Sequence, residues 1–118
     1  MSRTVLVVDD SAAFRATARV LLQARGYEVV GVASDVASGL AAAAELRPDC
    51  VLLDVNLPDG DGLAVAAQLT AAGTAPVVVL VSTLDAAALG DIESTGARGF
   101  VPKDELASPQ LVELLGPP

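Results

Sequence analysis

The sequence predicts an α/β domain: a doubly wound parallel sheet of five strands with helices on both faces. Two observations carry that prediction. Five short apolar runs, at residues 5–8, 29–32, 51–53, 77–81 and 100–101, are continuous rather than alternating, as in strands buried on both faces. Each run is followed by a stretch with helical spacing or helical punctuation. The order is therefore strand–helix five times, and right-handed crossovers after the strands make the sheet parallel. A length of 118 residues suits one core, and residues 1–118 are taken as a single domain, either free-standing or continued in a longer parent.

Taken in order, the first helix is marked by Phe14, Ala18, Leu21 and Leu22 at helical spacing, with Gly26 placed for a C-terminal cap. The second repeats through Val36, Leu40, Ala43 and Ala44 and stops before Pro48. The third is an alanine-rich stretch over residues 62–72 that ends at Gly73. A fourth is predicted over residues 85–94, capped by Asp85, interrupted by Gly90 and closed by Gly96. Ser108 and Pro109 read as the cap and first-turn proline of a short fifth helix.

Composition narrows the function. Apolar residues make up 53% of the chain, which excludes disorder, and aromatics only 3%, which disfavours base-stacking modules. Seven basic against fifteen acidic residues give a net charge of −8, which repels phosphate backbones, so no nucleic acid is expected as a partner of this domain. The chain has no histidine, so histidine bases and ligands are excluded. Its one cysteine, Cys50, opens an apolar run and is expected buried and inert, which fits a reducing cytoplasm. No signal segment and no membrane-length apolar run is visible, so a cytoplasmic location is expected, with no membrane partner.

The chemistry lies where strands end. The first strand ends on Asp9 and Asp10, and the third ends on Asp54 within VLLDVNLPDGDG. Functional groups of an open parallel sheet gather at the carboxyl ends of its strands. With strands one and three as neighbours in the order 2-1-3-4-5, three carboxylates converge. Such a cluster needs a counter-ion, and a hard cation with oxygen ligands answers it; Mg²⁺ is the expected cofactor. Ser82 arrives after the fourth strand and Lys103 after the fifth. A carboxylate nucleophile with a metal, a hydroxyl and an ammonium around it describes a phosphoryl site.

These residues together resemble the receiver domains of two-component response regulators. The resemblance rests on Asp9-Asp10, Asp54, Ser82 and Lys103 in that order and covers essentially the whole chain. It implies a flavodoxin-like fold, and the 2-1-3-4-5 order is itself the family's. It implies that Asp54 accepts a phosphoryl group from a sensor histidine kinase or phosphotransfer protein. Asp10 would bind Mg²⁺ directly, with Asp9 helping directly or through water. The backbone carbonyl of Asn56 would be a further ligand beside Asp54. Lys103 would pair with the phosphoryl group, or with Asp54 in its absence. Ser82, or Thr83 beside it, would supply the switch hydroxyl, and Phe100 would take the aromatic switch position. The signal would leave through the face made by the predicted 85–94 helix, the fifth strand and the last helix. It would reach a downstream protein or an effector domain of a longer parent. The chain would be a phosphoacceptor and not an enzyme, beyond its own phosphorylation and dephosphorylation.

Blander readings exist for every one of these residues. Asp9, Asp10 and Ser11 could cap the first helix, Asp54 could feed a turn, Ser82 could be a cap or turn residue, Lys103 could be solvated, and Phe100 could be core. The loop 58–62 reads as a tight turn, with no ligand role for Asp59 or Asp61. Three rivals have other functions. A calcium loop fails, because its sixth position is Asp59 and its twelfth Val65. A haloacid-dehalogenase-like hydrolase needs a second aspartate where Asn56 stands. A pseudo-receiver, keeping the fold as a phosphorylation-independent interaction module, is the alternative within the family.

Overall fold

The computed structural model describes residues 2–71, 76–83 and 92–118. Its five-stranded parallel sheet comprises β1 (Thr4–Val8), β2 (Glu28–Ala33), β3 (Cys50–Asp54), β4 (Val77–Ser82) and β5 (Gly99–Pro102), in the order β2-β1-β3-β4-β5. The helices among the described residues are α1 (Ala12–Ala24), α2 (Val36–Leu46), α3 (Gly62–Thr70) and the C-terminal α4 (Pro109–Leu115). Each expected strand is present, lengthened by a residue or two.

Side-chain alternation along the strands divides the core in two. Val5, Val7, Cys50, Leu52, Val79, Val81 and Val101 pack on one face with Ala18 and Leu22 of α1 and with Leu111 and Leu115 of α4. Leu6, Val8, Val51, Leu53, Val78 and Leu80 pack on the other with Val65 and Ala66 of α3 and with α2. The three central strands are buried throughout apart from Thr4 and Val77, the first residues of β1 and β4, as continuous apolar runs require. The edge strand β2 departs from that expectation: Glu28 and Val32 are exposed and Val30 and Gly31 only half-buried, because a single neighbour, β1, covers it.

Several expected boundaries are refined. Gly26 follows α1 with φ of 96°, and Gly96 has φ of 79°, as helix- and turn-ending glycines should. The third helix ends at Thr70 rather than reaching residue 72. The predicted 85–94 helix, including Asp85 and Gly90, lies mostly outside the described residues; its last part is a 3₁₀ turn, Glu93–Thr95. Ser108 does stand at the cap of α4, but its hydroxyl makes no capping bond. Arg25 instead bonds the carbonyls of Ala107 and Ser108, fixing the backbone before the helix.

Register sets the rim of the sheet. Val8 pairs with Leu53 and Asp54 with Val81, so Asp9 and Asp54 stand level at the carboxyl ends of adjacent strands. A miniature antiparallel hairpin, Asn56–Leu57 with Gly60–Asp61, follows Asp54 at once. Gly62 closes it, its N–H donating to the Val55 carbonyl at 2.7 Å. A Cβ on Gly62 would overlap the Asp54 carbonyl oxygen and the Val55 Cα, so only glycine lets α3 begin so close to the rim. Gly62→Ala is therefore expected to lower stability by about 1–3 kcal/mol, the cost of an overpacked site, and to shift the backbone amides of Asp54 and Val55. Denaturant unfolding and amide NMR spectra check it; an unchanged midpoint would refute the close-approach account.

Candidate functional site

Asp9 follows β1 and is wholly buried. Its Oδ1 accepts from the Ser11 N–H at 2.8 Å, and Ser11 in turn caps α1 by accepting from the Phe14 N–H at 3.2 Å. The capping and functional readings of these residues thus coexist: the turn that starts α1 also orients the Asp9 carboxylate. Arg15 reaches back to the Asp9 carbonyl at 2.6 Å, and Asp10 stands exposed beside it. Asp54, also buried, accepts from the Asn56 N–H at 3.2 Å through Oδ1. Single oxygens of Asp9, Asp10 and Asp54 lie within 4.8 Å of one another.

Lys103 is the cation that answers them. It opens the 3₁₀ turn Lys103–Glu105 after β5, and Nζ lies 2.7 Å from Asp9 Oδ2 and 3.3 Å from Asp54 Oδ2. The ammonium also sits 4.7 Å above the ring centroid of Phe14, a cation–π contact. Phe14 was legible only as a core position of α1; nothing in its spacing announces the lysine 89 places on, because the contact is made by tertiary packing. Asp9 Oδ2, wholly buried, has the Lys103 ammonium as its partner among the described residues.

Burial pushes the Asp54 carboxyl above the ordinary aspartate range. The Asn56 N–H pulls it down, Asp9 raises it further, and Lys103 lowers it without cancelling the rise. Burial likewise works to lower the Lys103 ammonium, but its contacts with Asp9 and Asp54 outweigh that and hold it above the usual lysine value.

Ser82 and Phe100 lie on the other side. Ser82 is buried at the end of β4, continuing the alternation of Val78 and Leu80, and Thr83 beside it is exposed. Phe100 is half-buried, pairs with Leu80, and packs against the α2–α3 side of the core. The fold thus places Asp9, Asp10, Asp54 and Lys103 together at one rim, with Ser82 at the end of β4 on the opposite face of the sheet and Phe100 on that face two residues back from the end of the β4–β5 register. Asp59 and Asp61, given no ligand role, cap helices: Asp61 accepts from the Leu63 N–H at the start of α3, and Asp59 from the start of α2. A groove of about 420 Å³ between α2 and α3, lined by Leu40, Ala43, Arg47 and Leu69, lies at the amino edge, away from the acids.

The donor set fits a hard divalent cation. It is made of oxygens, two of its three carboxylates are buried, and it carries more negative charge than one ammonium neutralises.

Comparison with known proteins agrees with this geometry. The model of the response regulator receiver domain matches residues 5–115. Protein-glutamate methylesterase/protein-glutamine glutaminase 5 of Myxococcus xanthus is 51% identical over 80 residues, 67% of this chain and 23% of that protein. Transcriptional regulatory protein KdpE of Mycobacterium tuberculosis is 41% identical over 99 residues, 84% of this chain and 43% of that protein. The chain thus spans less than half the length of these two relatives. Among solved structures, the signal receiver domain of the response regulator NarL from Mycobacterium tuberculosis superposes with a TM-score of 0.85 at 32% identity, covering 98% of each chain.

The raised Asp54 carboxyl has a consequence for stability. A carboxyl that holds its proton more tightly when folded favours the fold while protonated. Its contribution is present below the unfolded value near 3.8 and is lost as pH rises through the higher folded value. At neutral pH the ionised Asp54 therefore weakens the metal-free fold, and Asp54→Asn is expected to raise Tm by roughly 3–6 °C in chelator-treated buffer. The gain should shrink toward pH 4. Thermal scans across pH check this, and a lower Tm for the variant at pH 7 would contradict it.

Proposed function

The chain belongs to the response regulator receiver domain family, and from that membership we propose that it is a phosphoacceptor module, residues 1–118 forming one receiver domain with Asp54 as the acceptor. The observation that carries the proposal is the pairing of two buried carboxylates with one ammonium at a shared sheet rim. An Oδ of Asp54 attacks phosphorus, and the bond from phosphorus to the donor's imidazole nitrogen breaks, the electron pair leaving with that nitrogen. Lys103, at 3.3 Å from Asp54, is placed to meet the negative charge on the transferred group. Asp9 and Asp10, with Asp54 and the Asn56 carbonyl, would hold Mg²⁺, which supplies charge neutralisation on the phosphoryl oxygens. Ser82 would receive a phosphoryl oxygen, and Phe100, on the same face of the sheet, would pass the change to the β5–α4 surface.

On this reading the chain is not a turnover enzyme. Its partners are a sensor histidine kinase or phosphotransfer protein and a downstream protein or attached effector domain. Net charge of −8 opposes nucleic-acid binding by this domain. No described helix is long and apolar enough to cross a membrane, and the proposed site of action is the cytoplasm.

Incubation with a small phosphodonor and Mg²⁺ should add one phosphoryl mass, and Asp54→Asn should take none. Ser82→Ala should still be labelled. Full labelling of the Asn variant would overturn the acceptor assignment, an unlabelled wild type would favour the interaction-only reading, and sustained turnover of free phosphate esters would favour a hydrolase.

Mg²⁺ affinity should depend more on Asp10 than on Asp9. Both oxygens of Asp9 are engaged, by the Ser11 N–H and by Lys103, whereas Asp10 is exposed. Titration should show Asp10→Asn weakening Mg²⁺ by tenfold or more, on the order of a lost ligand's effect, and Asp9→Asn by less. Equal affinities for wild type and both variants would remove the metal site.

A further inference from the structure

The hairpin after Asp54 is pinned at three places. At its foot, the Asn56 N–H donates to Asp54 Oδ1 at 3.2 Å. On its return limb, Asp61 caps α3 through the Leu63 N–H at 2.8 Å. At its tip, the Asp59 carboxylate reaches a different helix: Oδ1 accepts from the Val36 N–H at 2.7 Å and Oδ2 from the Ala37 N–H at 3.2 Å. These are the first two residues of α2. Its N-cap, Asp35, takes the Ser38 N–H at 2.7 Å, and the Ser38 hydroxyl accepts from the Asp35 N–H at 3.3 Å. The four orphan donors of that helix end are therefore all satisfied, two of them by a loop 22 and 23 residues away. Gly60 tightens the seat, since a Cβ there would meet Val36 Cγ2 at 3.0 Å.

We infer that Asp59 is a positioning residue: by anchoring the hairpin tip to the amino end of α2, it holds the Asn56 carbonyl in place for the divalent cation. This rests on the phosphoacceptor reading of the acidic site. The physical reason is that Asn56 is exposed and its carbonyl belongs to a two-residue strand. A two-stranded ribbon of that length does not hold its own shape. Leu57, buried against the α2–α3 face, fixes the hairpin's height above the sheet. The Asp59 bonds fix its lateral position. A carboxylate suits the task because it accepts two N–H bonds at once at the positive end of a helix.

A merely structural cap predicts something different. Asp35 and Asp59 serve the same helix end, but the side-chain hydrogen bonds of Asp35 go to Ser38 of α2 and those of Asp59 come from the hairpin. Asp35→Ala is thus the matched control. The experiment measures Tm and Mg²⁺ affinity, the latter from the amide shifts of Asn56 and Leu57, for wild type, Asp35→Ala, Asp59→Ala and Asp59→Asn. Both alanine variants should lose Tm, but only Asp59→Ala should weaken Mg²⁺, by about tenfold, the lower end of an outer-shell effect. Asp59→Asn, which keeps one acceptor oxygen, should recover part of that loss and keeps the test available if the alanine variant fails to fold. Unchanged affinity in both Asp59 variants would overturn the inference while leaving the metal site standing, and so would equal weakening by Asp35→Ala. No binding by the wild type would remove the metal site and the inference with it.

Discussion

The structure is organised around a charge imbalance that the parallel sheet makes unavoidable. Strands β1 and β3 are neighbours in register, so the acids that follow them arrive level and buried. Two like charges about 4 Å apart repel by roughly 4 kcal/mol at the effective dielectric of a protein surface, and burial adds to that cost. Lys103 is brought from β5, two strands away from β3, to stand between them. It lies nearer Asp9 than Asp54. The arrangement therefore favours Asp9 with the close ion contact and leaves Asp54 with the looser one and a raised carboxyl. The ring of Phe14 lies against the ammonium, its centroid 4.7 Å from it.

That imbalance explains the local architecture better than any propensity does. Helix α1 starts directly after the acids, so its positive end faces them. Gly62 brings the start of α3 against the backbone of Asp54 itself. Asp61 and Asp59 then fasten the intervening hairpin to two helix ends. Each device restrains the chain around a carboxylate that the fold would hold more cheaply if it were neutral.

Much of this was legible in the sequence. A sheet covered on both faces announces itself as uninterrupted apolar runs, and its chemistry must appear where those runs stop, which singled out Asp9, Asp10, Asp54, Ser82 and Lys103. What escaped was everything set by contacts distant in sequence. Asp59 looks like an ordinary turn aspartate, since its partners at Val36 and Ala37 precede it by more than twenty residues. Phe14 looks like core because helical spacing cannot distinguish a ring packed on aliphatic side chains from one beneath an ammonium. The edge position of β2 left its outer residues exposed, although its sequence reads like that of a central strand. At Ser108 the local cap rule did not hold: its hydroxyl makes no capping bond, and Arg25 holds the adjacent carbonyls instead.

The division of the site between the two faces of the sheet bears on how any event at Asp54 is felt elsewhere. Asp9, Asp54 and Lys103 belong to the side of α1 and α4, whereas Ser82 and Phe100 belong to the side of α2 and α3. Between them lies a sheet whose central residues are fully buried, and such a close-packed core is stiff and passes strain on. The strand ends differ. Beyond Ser82 and Pro102, the last pair of the β4–β5 register, the backbone leaves the ladder. Asp54 has Lys103 beside it at 3.3 Å, and Ser82 stands one residue past the Val81 that pairs with Asp54. Phe100 pairs with Leu80, two residues before Ser82 on β4, and packs with it in the core of the α2–α3 side. The same rim carries the hairpin whose tip rests on α2. The carboxyl edge of the sheet thus has contacts with elements on both faces.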